Sequence, residues 1–389
     1  MGGTVAKGYE SVRDAFEKAQ ANDPGGAQLC IYRHGEVVVD LWTGRDIVKD
    51  RPYTQDTITV LMSCTKGATA VMAAMLAERG QLDVEAPVAK YWPQFAQNGK
   101  DGITLAHCLS HSAGLPTFPS AAHISTADLA NWDKCVDVLA KAKPLWTPGA
   151  HGSYHAVTYG FLVGEIIRRV TGKTAGTFFA DEIARPLGLD FWIGLPVEQE
   201  SRVAPHIPPE KSADFKGLMV GAGVNPNDPV MSEIFAGFEA ITDAVNFINT
   251  RDGHACELPA ANGIATGRSL AKMYAACIGT IDGVQLMQRA SWDRVRASRT
   301  RDLAPLPAMA HLPKPPGDGF GLGFALGNPI TQMLGPGSFG HDGAGGRLGF
   351  AHPEYGIAAG FACNSMLWDN FSPDPRWAWS NALLEIVRA

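Results

Sequence analysis

The 389-residue sequence predicts an α/β (α+β) protein, in which an antiparallel sheet is flanked by helices and interrupted by a mostly helical insert. Segments with strand-like patterns lie at both ends of the chain, and helical patterns fill the middle. The chain is also longer than the roughly 250–300 residues that one hydrophobic core usually serves. We therefore expect an α/β subdomain from residues 1–62 plus 268–389, a helical subdomain from 63–267, and a functional cleft between them.

The amino-terminal half carries clear local patterns. Residues 1–16 favour a short amphipathic helix, and residues 27–45 alternate apolar and polar side chains around a His34–Gly35 turn, which is typical of a hairpin. From Ser63 to Arg79 the apolar residues have the spacing of one helix face. Further helices are predicted at about 104–111, 126–141, 157–171, 174–186, 232–248 and 268–279.

The later part of the chain changes character. Residues 201–230 are rich in proline and glycine, which indicates a long irregular loop. Residues 319–327 and 338–364 are short strand-like runs separated by glycine-rich turns. A closing helix is expected from about Pro373. Strands from both ends can therefore share one sheet around the helical middle.

Charge and cysteine content exclude several classes of function. The net charge is −6 with an isoelectric point near 6.0, and no run of lysine or arginine suggests nucleic acid or an anionic membrane as a partner. Seven scattered cysteines without a C-x-x-C pair favour reduced, buried thiols. The amino terminus has no secretory pattern and no apolar stretch is long enough to span a bilayer, so a cytoplasmic protein is expected.

The tetrad Ser63-Cys64-Thr65-Lys66 has the form S-x-x-K. At the start of a helix, residues three apart lie on one face with their Cβ atoms roughly 5–6 Å apart, so the amine can reach the hydroxyl. A buried lysine can lose its proton and serve as a base toward serine. The motif also occurs by chance, and the chain contains a second copy, Ser269 to Lys272, which fits a capping or surface serine better.

A metal site is a weaker hypothesis. His107 and His111 are four residues apart on a predicted helix, but Cys108 stands where the zinc-protease pattern requires glutamate. A third ligand is missing from the surrounding sequence. We expect both histidines to be structural, and neither a metal nor an organic cofactor to be required.

Three further segments follow Ser63 in a recognisable order. They are ITLAHCLSHSAGLP at residues 103–116, the W-x-P-G to V-T-G stretch at 144–173 with PLGL at 186–189, and GHDGAGGRLGF at 340–350. From about Gln28 to its end, the chain resembles the serine β-lactamase and penicillin-binding protein superfamily. Among its branches it looks most like the family VIII carboxylesterases. The resemblance implies a β-lactamase-like fold with an active site in the predicted cleft.

The resemblance also implies a set of catalytic roles. Ser63 would be the nucleophile, and Lys66 with Tyr154 would be its general base and acid. The N–H groups of Ser63 and Ala344 would form the oxyanion hole, an element worth about 10²–10³ in rate.

The substrate-binding residues depart from the β-lactamase pattern. His341-Asp342-Gly343 occupies the place of the Lys-Thr-Gly motif, and Ala156 replaces the usual asparagine two residues after the tyrosine. An imidazole is mostly neutral at pH 7, so a fixed cation for a substrate carboxylate is lost. Both changes favour neutral esters over β-lactams or peptides.

The sequence therefore predicts a carboxylesterase that cleaves short-chain esters through an acyl-enzyme on Ser63. A β-lactamase or D-amino-acid peptidase, an acyltransferase and an acyl-binding sensor without turnover stay open as alternatives. The expected partner is a small-molecule ester substrate. The natural ester and the oligomeric state are not revealed by the sequence.

Overall fold

The computed structural model describes residues 1–208, 214–241, 243–314, 317–367 and 372–389. Its centre is an eight-stranded antiparallel sheet, and a second sheet has three short strands. The strands are β1 (Gly2–Val5), β2 (Gly26–Arg33), β3 (Glu36–Asp46), β4 (Arg51–Pro52), β5 (Thr59–Val60), β6 (Phe191–Trp192), β7 (Ile264–Ala265), β8 (Ala325–Leu326), β9 (Phe339–Gly343), β10 (Arg347–His352) and β11 (Ile357–Cys363).

The large sheet joins the two ends of the chain. Its strand order is β1-β3-β2-β11-β10-β9-β8, with β4 paired to β3, and the small sheet has the order β5-β7-β6. The predicted hairpin is present as β2 and β3. Strand β2 also pairs with β11 along seven residues, so the expectation that both ends share one antiparallel sheet is confirmed.

Helices lie on both faces of the large sheet, and further helices pack outside that layer. The α-helices of the described residues are α1 (Glu10–Gln20), α2 (Cys64–Glu78), α3 (Leu105–Leu109), α4 (Trp132–Lys141), α5 (Thr158–Thr171), α6 (Ala175–Phe179), α7 (Arg185–Leu187), α8 (Phe215–Gly221), α9 (Pro229–Ala240), α10 (Ala244–Phe247), α11 (Arg251–Ala255), α12 (Gly267–Ile278), α13 (Arg289–Arg296) and α14 (Ala378–Arg388). Within the described residues, no helix combines the length and apolar character that crossing a bilayer would require.

Strand β2 shows how the sheet divides the interior. Leu29 and Ile31 face a core shared with α1 and α14, where Phe16 and Trp379 are fully buried. The residues between them, such as Cys30, face the larger core that contains α2, α5 and α12. Because successive side chains of a strand point to opposite faces, a strand buried on both sides is apolar almost throughout.

Several predicted elements need correction. Residues 2–5 form strand β1 against β3, and the amino-terminal helix begins only at Glu10. The stretch 201–230 contains helix α8, although residues 209–213 of that predicted loop lie outside the described residues. A four-residue strand and a seven-residue helix are too short for a periodic pattern to reveal.

Two helices also differ in extent from the helices predicted from the sequence. The helix expected at 232–248 begins at Pro229, because the Asp228 carboxylate caps the N–H groups of Val230 and Met231, and it ends at Ala240. The helix expected at 174–186 is interrupted by a π-helical turn at residues 180–184. The predicted subdomain boundaries, residues 1–62 plus 268–389 against 63–267, stay a prediction.

Candidate active site

Ser63 lies at the amino-terminal end of α2, directly after a strained residue. Met62 has φ of +51°, a conformation that non-glycine residues rarely adopt. Thr65 stabilises it, because its N–H and hydroxyl both donate to the Met62 carbonyl, at 3.0 and 2.7 Å. The Thr65 hydroxyl oxygen in turn accepts the N–H of Gly263, beside strand β7. The bend before Ser63 is therefore fixed by the first turn of α2 and by one segment distant in sequence, at Gly263.

Lys66 follows one turn later and is fully buried. Its Nζ lies 3.2 Å from Ser63 Oγ, 2.8 Å from the carbonyl oxygen of Ala156 and 2.9 Å from that of Ala260. Among the described residues it has no ion pair. Burial lowers the pKa of Lys66 to about 7, and the negative charge of Asp342 opposes part of that shift.

This arrangement suits a neutral amine. A neutral lysine has two N–H donors and one lone pair. The carbonyl oxygens of Ala156 and Ala260 can only accept hydrogen bonds, so in the neutral form they use both N–H groups of the amine. The lone pair is then left for the hydroxyl proton of Ser63. Since the pKa of Lys66 is near 7, a substantial fraction of the protein holds this form at neutral pH.

Tyr154 completes the contacts of Ser63. Its side chain is hydrogen-bonded to Ser63, and the Lys66 Nζ lies 4.8 Å from the centre of its ring. Burial and, next, the charge of Asp342 raise the pKa of the phenol well above its usual value. Tyr154 is therefore protonated at neutral pH and can pass on a proton rather than carry a charge.

The chain reverses direction after β9 in a tight turn from Gly343 to Gly346. The Gly346 N–H donates to the Gly343 carbonyl at 2.9 Å, and Gly345 has φ of +83°, as the third position of a type II turn requires. A Cβ on Gly343 would lie 2.3 Å from the Leu61 carbonyl oxygen, so this glycine allows β9 to approach the segment before Ser63. Among the described residues, no hydrogen bond uses the N–H of Ser63 or Ala344.

His341 and Asp342 lie on opposite faces of β9. His341 is buried and burial lowers its pKa to about 3, so the imidazole is neutral. Asp342 is partly exposed, accepts a long hydrogen bond from Thr331 at 3.4 Å, and has its pKa raised by burial to about 6. At neutral pH this strand therefore offers a carboxylate and no cation.

A cavity of about 380 Å³ opens beside Tyr154 and Asp342. Its wall is largely apolar and includes Phe320, Leu303 and Ile330. Phe320 stacks on Tyr154, with ring centres 5.9 Å apart. A site of this kind can hold the apolar part of a small molecule against the reacting groups.

The comparisons with known proteins identify the family of the chain. The beta-lactamase family model matches residues 12–383, nearly the whole chain. The chain belongs to the beta-lactamase family. The β-lactamase-like fold predicted from the sequence is thereby confirmed, and the protein is a hydrolase of the serine β-lactamase and penicillin-binding protein superfamily.

Three relatives illustrate the similarity. The chain is 35% identical to the esterase/beta-lactamase LipL of Mycobacterium tuberculosis over 352 residues, which cover 88% of this chain and 78% of that protein. A penicillin-binding protein homologue from Caulobacter crescentus has a TM-score of 0.85 at 34% identity, covering 99% of this chain and 100% of that one. A family VIII carboxylesterase structure has a TM-score of 0.84 at 32% identity, covering 99% of both chains.

In this beta-lactamase family member, some of the site residues predicted from the sequence contact one another and others do not. Ser63, Lys66 and Tyr154 are in direct contact. The backbone carbonyl of Ala156 accepts a hydrogen bond from Lys66, so the contact with the site does not involve the Ala156 side chain. His341 lies behind the site, 6.1 Å from Tyr154 between ring centres.

His111 contacts the site, which the sequence did not predict. Helix α3 ends at Leu109, and His111 follows in a left-handed conformation with φ of +60°, so it does not share a helix face with His107. Its ring packs on Tyr154 at 4.7 Å and on Phe320 at 4.5 Å. Burial lowers its pKa well below the usual value, which keeps it neutral beside Lys66.

The positions of His107 and His111 do not support a metal site. His107 caps α3, since its Nδ1 accepts the N–H of Thr104 while the Thr104 hydroxyl accepts the N–H of His107. In the part of the chain that the structure describes, no cluster of three or more histidine, cysteine or carboxylate side chains could hold an ion. All seven cysteines are unpaired thiols.

Proposed function

We propose that this protein is a carboxylesterase that cleaves short-chain esters through an acyl-enzyme on Ser63. The observation that carries the proposal is the buried Lys66 amine, which has two carbonyl acceptors, no ion pair among the described residues, and Ser63 Oγ at 3.2 Å. An amine held in this way is a base directed at one hydroxyl.

In the first step, Ser63 Oγ forms a bond to the ester carbonyl carbon while its proton passes to Lys66, directly or through Tyr154. The oxyanion is stabilised by the N–H groups of Ser63 and Ala344. The bond to the alcohol oxygen then breaks, and that oxygen takes a proton from Tyr154, which Lys66 replenishes. Water enters by the reverse path, giving the free acid and restoring Ser63.

The charges around the cavity favour neutral esters over β-lactams. Substrates of β-lactamases carry a carboxylate, and here neutral His341 supplies no cation while Asp342 adds a negative charge to the wall. Two cations, Arg301 and Lys314, also lie among the described residues that line the same cavity, and both hydrogen-bond to neighbouring groups of the protein. Arg301 pairs with Asp318, and Lys314 donates to the carbonyl oxygens of Arg301 and Leu303.

Two alternatives within this chemistry depend on the second substrate. If an alcohol or amine reaches the acyl-enzyme before water, the protein is an acyltransferase. If nothing reaches it, the protein is a sensor that is acylated once. The resemblance to an esterase/beta-lactamase keeps β-lactamase activity as a further candidate, and a D-amino-acid peptidase requires the same nucleophile.

The test is steady-state hydrolysis of p-nitrophenyl acetate and butyrate, with nitrocefin run in parallel. We expect many turnovers of both esters, kcat/KM for nitrocefin at least about 100-fold lower, and at least about a 10³-fold loss of ester turnover in Ser63→Ala. Full activity in Ser63→Ala would refute the nucleophile. Nitrocefin turnover equal to that of the esters would refute the substrate class, and a single burst would favour the sensor.

A further inference from the structure

Arg347 is a buried cation with an unusual set of partners. It is the first residue of β10, its side chain is fully buried, and among the described residues it forms no ion pair. Burial lowers the pKa of its guanidinium, but a guanidinium stays protonated at neutral pH. One of its nitrogens, Nη2, has no hydrogen-bond partner in the described part of the chain. A buried charge without a counter-charge is costly and requires an explanation.

The two hydrogen bonds that Arg347 makes go to two particular segments. Its Nε donates to the Val60 carbonyl at 3.1 Å, and its Nη1 donates to the Ala344 carbonyl at 2.8 Å. Val60 ends strand β5, three residues before Ser63. Ala344 lies in the turn after β9. The same guanidinium therefore connects the two segments that carry the N–H groups proposed for the oxyanion.

The turn is shaped around this guanidinium. A Cβ on Gly345 would lie 2.4 Å from Arg347 Nη1, so only glycine leaves room for the contact. The peptide plane that carries the Ala344 N–H is fixed on its other side by the Gly346 to Gly343 hydrogen bond. Both peptide planes that flank the Ala344 Cα are thus held, which fixes the direction of its N–H.

We infer that Arg347 is a positioning residue for the oxyanion hole, since it holds the segments of Ser63 and Ala344 in a fixed mutual position. This inference rests on the proposed function, because it assigns a role in stabilising the oxyanion of the acylation step. Arg347 touches neither the substrate nor the reacting atoms and acts through the backbone of Val60 and Ala344.

Two neighbouring side chains also donate to the turn, but within the described structure neither donates a hydrogen bond to the segment before Ser63. Arg376 and Trp377 also hold the turn, donating to the carbonyls of Gly345 and Gly346 respectively. These contacts fix the far side of the turn against the carboxyl-terminal segment. Among the three donors, Arg347 also contacts the segment that precedes Ser63.

The experiment compares wild type with Arg347→Met and Arg347→Lys, using p-nitrophenyl butyrate as substrate and phenylboronic acid as inhibitor. A boronic acid adds to the serine oxygen as a tetrahedral adduct, so its affinity reports on the oxyanion hole. Displacing a catalytic donor by about 1 Å can cost about 10²-fold in rate. In Arg347→Met we therefore expect kcat to fall about 10- to 100-fold, KM to change less than about threefold, and boronate affinity to fall in step with kcat.

The matched control is Lys100→Met. Lys100 is also fully buried, and it also donates to two backbone carbonyls, those of Gln97 and Ala142. No site residue contacts it in the described structure. Its removal should lower the unfolding temperature and leave kcat and boronate affinity within about twofold of wild type.

The outcomes are separable. If Arg347→Met lowers only the unfolding temperature, as Lys100→Met does, the inference is overturned. If Arg347→Met does not fold, Arg347→Lys decides in its place: parallel losses in kcat and boronate affinity support the inference, and unchanged values overturn it. A wild type that forms no acyl-enzyme on Ser63 overturns the proposed function, and the inference with it.

Discussion

The chain contains the S-x-x-K pattern twice, each time at the start of a helix, and the two copies have different surroundings. Ser63 and Lys66 begin α2, whereas Ser269 and Lys272 lie in the first turns of α12. Helix geometry places serine and lysine on one face in both copies. What differs is the set of groups around them, so the comparison separates the effect of spacing from the effect of environment.

The two lysines have different electrostatic partners. Lys272 remains partly exposed, forms an ion pair with Asp282 at 2.6 Å, and donates to the Leu187 carbonyl. Its charge is compensated. Lys66 is fully buried with carbonyl acceptors instead of a paired carboxylate, and burial lowers its pKa to about 7. The environment of Lys66 therefore produces a base near neutral pH.

The two serines differ in the same way. Ser269 Oγ accepts hydrogen bonds from the Thr266 hydroxyl and from the Asp190 N–H, both at 2.9 Å, so its oxygen already holds two neighbouring segments together. Among the described residues, Ser63 Oγ contacts only Lys66 and Tyr154, which are both able to move a proton. The spacing of the motif therefore permits the chemistry, and the surrounding side chains decide whether it can occur.

The largest difference between the copies is expected when each lysine loses its amine. Lys66→Met removes the base and should lower kcat/KM for p-nitrophenyl butyrate about 10²–10⁴-fold. Lys272→Met removes a surface ion pair and should leave kcat/KM within about twofold. Steady-state kinetics of both variants at pH 8 measure the contrast. Equal effects would show that burial of Lys66 does not set its reactivity.

A smaller effect concerns pH. Two groups of the site, Lys66 and Asp342, change charge between pH 5 and 8. Burial keeps His111 and His341 neutral and Tyr154 protonated over that range. Protonated Lys66 cannot accept the proton of Ser63. For a neutral ester, kcat/KM should therefore fall about tenfold per pH unit below an apparent pKa of about 7.

Asp342 gives this pH dependence a direction that can be tested. Its negative charge raises the pKa of Lys66, so Asp342→Asn should move the acid limb of the profile to lower pH. Asp282→Asn, which removes the carboxylate beside Lys272, is the control and should leave the limb in place. A limb that moves to higher pH in Asp342→Asn would contradict the assignment of Lys66 as the titrating base.

Local patterns accounted for much of the fold. The hairpin of β2 and β3 and the helix after Ser63 could be predicted, because their apolar residues repeat with the period of a strand or of a helix. Strand β1 could not be predicted, because its four residues form a strand only by pairing with β3. The sequence of β1 alone does not indicate that partner. Short elements depend on tertiary contacts more than on their own composition.

The site shows the same limit. The motifs that carry Ser63, Lys66 and Tyr154 predicted three residues that the fold brings into contact. Some of the residues that support them were not predicted, because their partners are remote in sequence. The Ala260 carbonyl, which accepts a hydrogen bond from Lys66 Nζ, is 194 residues away from that lysine. Arg347 is 287 residues away from Val60, to whose carbonyl it donates. His111 was misplaced because the helix that precedes it ends two residues early.

The smallest effect on activity is expected from Ser269→Ala, which tests whether the second motif is purely structural. Removing Oγ leaves the Asp190 N–H and the Thr266 hydroxyl without an acceptor in a buried place, at a cost of about 1–3 kcal/mol in unfolding free energy. Urea unfolding followed by circular dichroism measures that loss, and kcat/KM for p-nitrophenyl butyrate should stay within about twofold of wild type. A large fall in activity without loss of stability would mean that Ser269 takes part in the chemistry. Ser269 Oγ already accepts two hydrogen bonds, whereas the oxygen of Ser63 contacts two groups that can transfer protons. We therefore expect stability to respond at Ser269 and activity to respond at Ser63.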